Sequence, residues 1–323
     1  MVKVAITGIT GFIGSHLARR LVQLGYTVYG IARHCASRRL EPVKDILNDI
    51  VFLTSDITDL MSISRALETA DPDYICHLAA LTPVRLSFEN PFNYERVNYL
   101  GTMNLVHAMM KLPDYPKRKL IVASTPEVYG FHTSGKPLKE ETPFNPSSPY
   151  AVSKAAADMY VRMAALVYDL NPVVLRPANT YGRKFESGFI VEYLIRSLLK
   201  GERVYIGAPE SIREYMYVDD HVNAYISAIE KGRKGEVYNI GTGQRIRNKG
   251  LAMKIAEKVG YSNDKIILGA YPPGYPLRPI ASDQPYIILD STKARQELKW
   301  SPQVNLDKGL EKTIEYWKSK LMC

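Results

Sequence analysis

Tyr150 and Lys154 stand four residues apart in the run SPYAVSK. On a helix that spacing puts both side chains on one face, and Ser147, Ser148 and Pro149 just ahead of them mark a helix start. A phenol beside an ammonium is a proton-transfer pair. A phenol ordinarily titrates near 10, so a tyrosine acting as a base near neutrality must titrate about 3 pH units lower, and a neighbouring positive charge acts in that direction. A second run, ASTPEVYG at residues 123–130, leaves the end of an expected strand and places Thr125 and Glu127 where a substrate would lie. The third is a set of glycines, Gly8, Gly11 and Gly14, which follow the apolar run VKVAIT and precede a helical stretch over residues 15–23. Gly8 and Gly11 let the backbone approach a pyrophosphate, and Gly14 lets the helix pack closely while its first amides face the anion.

These residues need a scaffold that brings strand ends together. Apolar runs read as strands over residues 2–7, 27–32, 50–54, 74–78, 120–124 and 172–176, and helical patterns separate them over 15–24, 60–70, 93–111 and 150–168. Strands alternating with helices predict an α/β fold, a doubly wound parallel sheet with ligands at the carboxyl ends of its strands. Beyond Arg176 the rhythm loosens, and two loops rich in Pro and Tyr, residues 140–149 and 270–285, flank less regular segments. That pattern predicts a smaller C-terminal domain woven from later pieces of chain.

Composition narrows the classes further. The 323 residues are 46% hydrophobic and 23% charged, which fits an ordinary globular protein and excludes a disordered one. No apolar run reaches a membrane span, and the first one is interrupted by the glycine turn before it can serve as a signal peptide, so a cytoplasmic location is expected. Cys35, Cys76 and Cys323 are too scattered for a disulfide framework or a zinc site, and no metal is expected. The net charge of +9 is dispersed, with short clusters at Arg38-Arg39 and Lys117-Arg118-Lys119. A polyanionic small molecule fits it better than nucleic acid or a membrane surface.

Taken together, these segments resemble the extended short-chain dehydrogenase/reductases, specifically the nucleotide-sugar epimerases and dehydratases. The likeness runs almost end to end, through GITGFIG (8–14), SDITD (55–59), HLAA (77–80), VNYLGTMNL (97–105), STPEVYG, SPYAVSK, RPANTYG (176–182), REYMYVDD (213–220), VYNIGTG (237–243) and LDSTKARQELKW (289–300). It implies a Rossmann fold, with residues 1–176 and 214–240 binding the dinucleotide and 177–213 and 241–323 binding the nucleotide sugar. It implies cofactor contacts from Gly8, Gly11, Phe12, Ile13, Gly14, Asp56, Ile57, Leu78, Ala79, Ala80, Tyr150 and Lys154. Substrate contacts are implied for Thr82, Glu127, Asn179, Arg213 and Arg278, since arginines give forked, charge-assisted bonds to a diphosphate. Homodimers, or tetramers built from them, joined through residues 93–111 and 150–168, are implied as well.

Two positions speak to cofactor and reaction. An NAD enzyme usually places an acid at the end of the second strand, whereas this chain has Ala32 followed by Arg33, His34, Ser37, Arg38 and Arg39. Arg33, Ser37 and Arg38 favour the 2′-phosphate of NADP, with NAD the second choice, and the run resembles that of the NADP-using GDP-mannose 4,6-dehydratases. In this family Tyr150 takes the proton of the sugar 4-hydroxyl as C4 is oxidised, with Thr125 and Lys154 beside it. A dehydratase then needs a carboxylate to remove the C5 proton, and Glu127 stands there. GDP-mannose 4,6-dehydration is therefore the leading expectation. A UDP-glucose type 4-epimerase, a UDP-uronate decarboxylase, a 4-keto-sugar reductase and a catalytically silent NADP-binding regulator stay open. One departure is Pro126, where dehydratases often carry Asp or Ser as a proton donor.

Overall fold

A computed structural model describes residues 2–33, 40–132, 135–185, 188–275, 279 and 282–321. The first half alternates as β1 (Lys3–Thr7), α1 (Phe12–Gln23), β2 (Thr27–Ala32), β3 (Ile50–Thr54), α2 (Leu60–Ala70), β4 (Tyr74–His77), the short turns α3 (Leu86–Glu89) and α4 (Pro91–Tyr94), α5 (Gly101–Met109), β5 (Lys119–Ala123), α6 (Pro149–Val167) and β6 (Asn171–Pro177). The second half holds β7 (Asn179–Tyr181), α7 (Ile190–Leu199), β8 (Val204–Ile206), β9 (Ile212–Arg213), β10 (Tyr215–Tyr217), α8 (Val218–Lys231), β11 (Val237–Ile240), β12 (Ile246–Arg247), α9 (Asn248–Val259), β13 (Ile266–Leu268) and α10 (Leu306–Leu321). The six expected strands form, within a residue or two of their expected bounds.

Seven strands make one sheet in the order β11-β6-β5-β4-β1-β2-β3, every neighbour parallel. The chain leaves β1 outward through β2 and β3, then returns to β4 on the other flank of β1. That reversal opens a crevice at the carboxyl ends of β1 and β4. The seventh strand, β11, closes the far edge on β6 although it lies sixty residues later in the chain.

Each face of the sheet is covered by helices, as near-continuous apolar strands require. On one face Leu17 and Leu21 of α1 pack with Val222, Tyr225 and Ile229 of α8, and on the other Ile63 and Leu67 of α2 pack with Leu105, Met109 and Val161 of α5 and α6. A separate cluster joins α7, α9 and α10 over β8 and β10, through Leu194, Ile195, Leu251, Ile255, Leu310 and Trp317. Among the described residues no helix is long and apolar enough to cross a membrane.

The sequence pattern over 93–111 reads as one helix; the structure breaks it. After α4 the backbone widens into a π-helical stretch, Glu95–Leu100, before α5 resumes. The widening turns Asn98 inward, where its Oδ1 accepts from the Leu81 amide and its Nδ2 donates to the Leu81 carbonyl and Ser153 Oγ. A functional side chain at a π-turn is a recurrent pattern. Here it ties the loop after β4 to α6.

Arg176 of β6 and Asp158 of α6 form a buried pair, with side chains 1% and 0% exposed. The Arg176 guanidinium donates to both Asp158 carboxylate oxygens at 2.9 Å, to the Tyr129 hydroxyl and to the Glu140 carbonyl. Asp158→Asn keeps the shape and strands the guanidinium's charge. It should cost about 3 to 5 kcal/mol of unfolding free energy, read as a lowered urea midpoint at unchanged slope. Adding Arg176→Met should recover part of that loss. A single variant within about 1 kcal/mol of the parent would mean that water, not Asp158, compensates the charge.

Candidate active site

The glycine turn sits at the crevice. Gly8 has φ +73°, and a Cβ there would lie 2.8 Å from the Ala79 amide, so the backbones after β1 and β4 meet with no room for a side chain. A Cβ on Gly14 would lie 2.3 Å from the Gly8 carbonyl oxygen. The first turn of α1 has no side-chain cap. Uncapped amides over a side-chain-free hollow fit the pyrophosphate of a dinucleotide. Beneath the hollow, Thr7 Oγ1 bonds His77 Nδ1 and Thr102 Oγ1 bonds the other ring nitrogen. Burial and the charge of Lys154 push His77 down to about 3, which leaves it neutral and structural.

A cavity of about 800 Å³ opens over this turn and runs across to α7 and β9. Among the described residues it brings together Gly8, Gly11, Phe12, Ile13, Gly14, Leu78, Ala80, Thr82, Thr125, Glu127, Tyr150, Lys154, Asn179 and Arg213 from the sequence expectations. Ala79, Asp56, Ile57 and Arg33 stand outside that lining. Asp56 Oδ1 accepts from the Thr58 amide and hydroxyl, Ile57 is buried against Gly101, and Arg33 is exposed just past β2. Ser37, Arg38 and Arg278 lie outside the described residues.

Helix α6 places the chemistry. Ser148 caps it by accepting from the Ala151 amide, and Pro149 occupies its first turn, as the sequence pattern predicts. Tyr150 then sits beside the Thr125 hydroxyl, which favours the ionised phenol, and Thr125 Oγ1 accepts from the Glu127 amide at 3.3 Å. Thr125 thus stands between the phenol and the residue that carries the carboxylate.

The expected influence of the ammonium on the phenol is not what this geometry gives. Lys154 Nζ donates to the Ala123 carbonyl, and burial pushes its pKa down to about 8, with Asp158 opposing. It is charged at neutral pH and loses that charge as the pH passes about 8. Burial raises the Tyr150 pKa above its ordinary value, opposed by the Thr125 bond and reinforced by the charge of Glu127. The physical reason is depth: desolvation penalises each group's charged form, and for the phenol it outweighs what the site's own residues return.

Glu127 owes its placement to a residue that no local sequence pattern singles out. Gln284, fully buried, donates through Nε2 to Glu127 Oε2 at 3.1 Å and to Ser147 Oγ at 3.0 Å. Two further arginines line the cavity beside Arg213. Arg85 lies 3.3 Å over the Tyr275 ring, and Arg183 packs 4.4 Å from Phe12 and 3.5 Å from Phe189. Arg213 itself is buried, 3.9 Å from Asp283. Local patterns cannot show such partners, which come from chain segments far apart. The Pro- and Tyr-rich character of 270–285 is the one signal the sequence offers for them.

Comparison with known proteins agrees with this geometry. A family model described as GDP-mannose 4,6 dehydratase matches residues 5–313. A probable dTDP-glucose 4,6-dehydratase of Sinorhizobium fredii is 31% identical, the match covering 98% of this chain and 92% of that protein. A UDP-glucose 4-epimerase of Mycolicibacterium smegmatis is 34% identical, over 98% and 99%. Among solved structures, UDP-glucose 4-epimerase of Thermotoga maritima with UDP-glucose has a TM-score of 0.88 at 33% identity, over 98% of this chain and 99% of that one. The dTDP-glucose 4,6-dehydratase of Bacillus anthracis in complex with NAD has a TM-score of 0.88 at 26% identity, over 100% and 98%. With the glycine cradle, the Tyr150 and Lys154 helix and the fold all in agreement, the chain belongs to the extended short-chain dehydrogenase/reductases, as a nicotinamide-dependent enzyme of the nucleotide-sugar dehydratase and epimerase family.

Proposed function

We propose that the chain is a nucleotide-sugar 4,6-dehydratase, and the observation that carries this reading is Glu127. Its carboxylate lines the cavity two residues from Thr125, the partner of Tyr150, and is held there by Gln284. The glycine turn over residues 8–14 would hold the nicotinamide cofactor, which would supply reversible hydride transfer with the sugar. Tyr150 receives the proton of the 4-hydroxyl, and Lys154 keeps a positive charge near it below about pH 8. The resulting 4-keto group acidifies C5–H, and Glu127 removes that proton. Pro126 offers no side-chain donor, so Glu127 also delivers the proton to the departing 6-hydroxyl. Arg85, Arg183 and Arg213 give the cavity the positive lining that a diphosphate needs.

GDP-mannose is the substrate reading, supported by the description of the matching family model and by the basic run after β2. The relatives named for dTDP-glucose and UDP-glucose favour other bases. The division of labour between residues 1–176 with 214–240 and 177–213 with 241–323 is supported by β11 joining the main sheet while α7, α9 and α10 share a core of their own. A 4-epimerase is the second reading, favoured by the likeness to the Thermotoga enzyme and by Pro126.

Incubation with a panel of nucleotide sugars in deuterated water separates the two. The dehydratase should release a product lighter by one water, with solvent deuterium at C5. Glu127→Gln should still reduce the cofactor and then stall, with turnover down by at least about a hundredfold. Interconversion of C4 epimers without C5 exchange, undisturbed in the Gln variant, would transfer the assignment to the epimerase.

The cofactor reading is NADP. It is supported by the absence of an acid at the end of β2, where Ala32 is followed by the exposed Arg33. Calorimetry should find NADP bound more tightly than NAD, and Arg33→Ala should narrow the gap by about 1.5 to 3 kcal/mol. Equal affinities in the parent protein would defeat it.

The homodimer reading is supported by an apolar stripe along α6, Val152, Met159 and Leu166, spaced seven apart and 46%, 56% and 88% exposed, with Phe92 beside it at 86%. Such a stripe along one helix is a packing face without its partner. Light scattering at micromolar concentration should give twice the chain mass, and Leu166→Glu should shift it toward the monomer. A monomeric parent would remove the proposal.

A further inference from the structure

Gln284 is fully buried and stands outside the cavity lining, yet it reaches the segments of both reacting side chains. Its Nε2 donates to Glu127 Oε2 at 3.1 Å and to Ser147 Oγ at 3.0 Å. Glu127 lies in the turn that follows β5, and Ser147 directly precedes the Ser148 cap of α6, three residues before Tyr150. The charge of Glu127 is felt at the Tyr150 phenol. One amide nitrogen therefore ties the carboxylate to the start of the helix that carries the phenol.

The direction of these bonds is fixed by their neighbours. Ser147 Oγ donates its hydrogen to the Ser282 carbonyl at 3.2 Å, so toward Gln284 it accepts. An ionised carboxylate also only accepts. Both partners therefore require the N–H face of the amide, and a flipped Gln284 would set its carbonyl against two acceptors. Gln284 Oε1 has no hydrogen-bond partner among the described residues, so the side chain acts through its N–H group alone. A donor aimed at a carboxylate gives a charge-assisted bond, which steadies the ionised form and its direction together.

On the dehydratase reading, a sugar oxidised at C4 has two exits. It is reduced again at C4, with Tyr150 returning the proton, or it loses the C5 proton to Glu127. We propose that Gln284 is the positioning residue that sends the sugar through the second exit, by keeping Glu127 ionised and fixed in direction. Oxidation at C4 does not need Gln284, because among the described residues the bonds of Tyr150, Thr125 and Lys154 do not run to it. Removal of the C5 proton needs it, because a carboxylate that turns away or already holds a proton is no base. The inference rests on the dehydratase reading and adds to it a residue that touches no substrate and acts only through Glu127.

The two exits are read separately on the full chain with its cofactor, using whichever of GDP-mannose, dTDP-glucose and UDP-glucose the parent oxidises. In a single turnover, reduced nicotinamide reads oxidation at C4, and deuterium gained at C5 from heavy water reads Glu127. Gln284→Met keeps the bulk and removes the donor. It should leave the first rate within about threefold and slow the second about ten- to a hundredfold. The acid limb of C5 exchange should move to higher pH, since a carboxylate without its donor holds a proton more tightly. Ser147→Ala, which loosens the amide from its other side, should slow C5 exchange about two- to fivefold, and adding it to Gln284→Met should cost nothing more, because both act along one route. Infrared spectra of the ligand-free chain, in which Glu127→Gln identifies the carboxylate band, read the bond without turnover: the band should titrate at higher pH in Gln284→Met than in the parent. A parent without C5 exchange ends the dehydratase reading, and this inference with it. Where the parent does exchange, a Gln284→Met variant that exchanges equally fast, loses both rates alike or leaves the infrared band unmoved overturns the inference and leaves the reading standing. Should Gln284→Met fail to fold, Ser147→Ala decides, and unchanged C5 exchange there overturns the inference.

Discussion

The buried charge pair between Arg176 and Asp158 is the constraint on which the site's geometry depends. A guanidinium with no access to water must keep every bond it makes, and here those bonds run to α6, to the hydroxyl of Tyr129 and to the chain at Glu140. Asp158 in turn accepts from Ser124 Oγ at 2.7 Å, at the end of β5. One helical turn earlier Lys154 donates to the carbonyl of Ala123, and one turn earlier again Tyr150 meets Thr125. Three rungs, at 158, 154 and 150, thus lock α6 against three successive residues of the strand end. A rotation of α6 large enough to misplace Tyr150 would first strand a buried charge, which costs several kcal/mol.

Depth that secures the register also shapes the chemistry. Both members of the Tyr150 and Lys154 pair are driven toward their neutral forms, the phenol upward and the ammonium down to about 8. A base made of this pair alone would hold its proton at neutral pH. The positive charge of an oxidised nicotinamide ring bound beside the phenol would favour its ionised form.

The features legible in the sequence are those that depend on neighbours in the chain. The glycine cradle, the alternation of strands and helices and the spacing of Tyr150 and Lys154 are short-range patterns, and each appears where the periodicity puts it. The π-helical stretch before α5 is not legible because the apolar spacing of 93–111 is helical throughout, and the widening answers to Asn98 finding partners on another loop. Nor is β11, because its four residues become a strand only by pairing with β6. Gln284 lies 157 residues from Glu127, a separation at which no local rule operates. The same holds for the direction taken by Lys154, set by the carbonyl of Ala123 rather than by its place on the helix.

That distance has a consequence for how the two halves cooperate. Tyr150, Thr125 and Lys154 are positioned by the parallel sheet and α6, and among the described residues nothing in their bonding calls on the later chain. Glu127 differs, because its carboxylate is steadied by Gln284, which stands in the same late segment as Asp283, the residue paired with Arg213. A diphosphate bound at Arg213, as proposed above, would compete with Asp283, one residue from the side chain that bonds the Glu127 carboxylate. On the dehydratase reading proposed above, the residues assigned to C4 rest on the sheet, while the carboxylate assigned to C5 is held from the late segment that carries Gln284 and Asp283. Dehydratases and epimerases both stand among the proteins this chain is similar to, and in this chain Tyr150 and Glu127 are held by different parts of the fold.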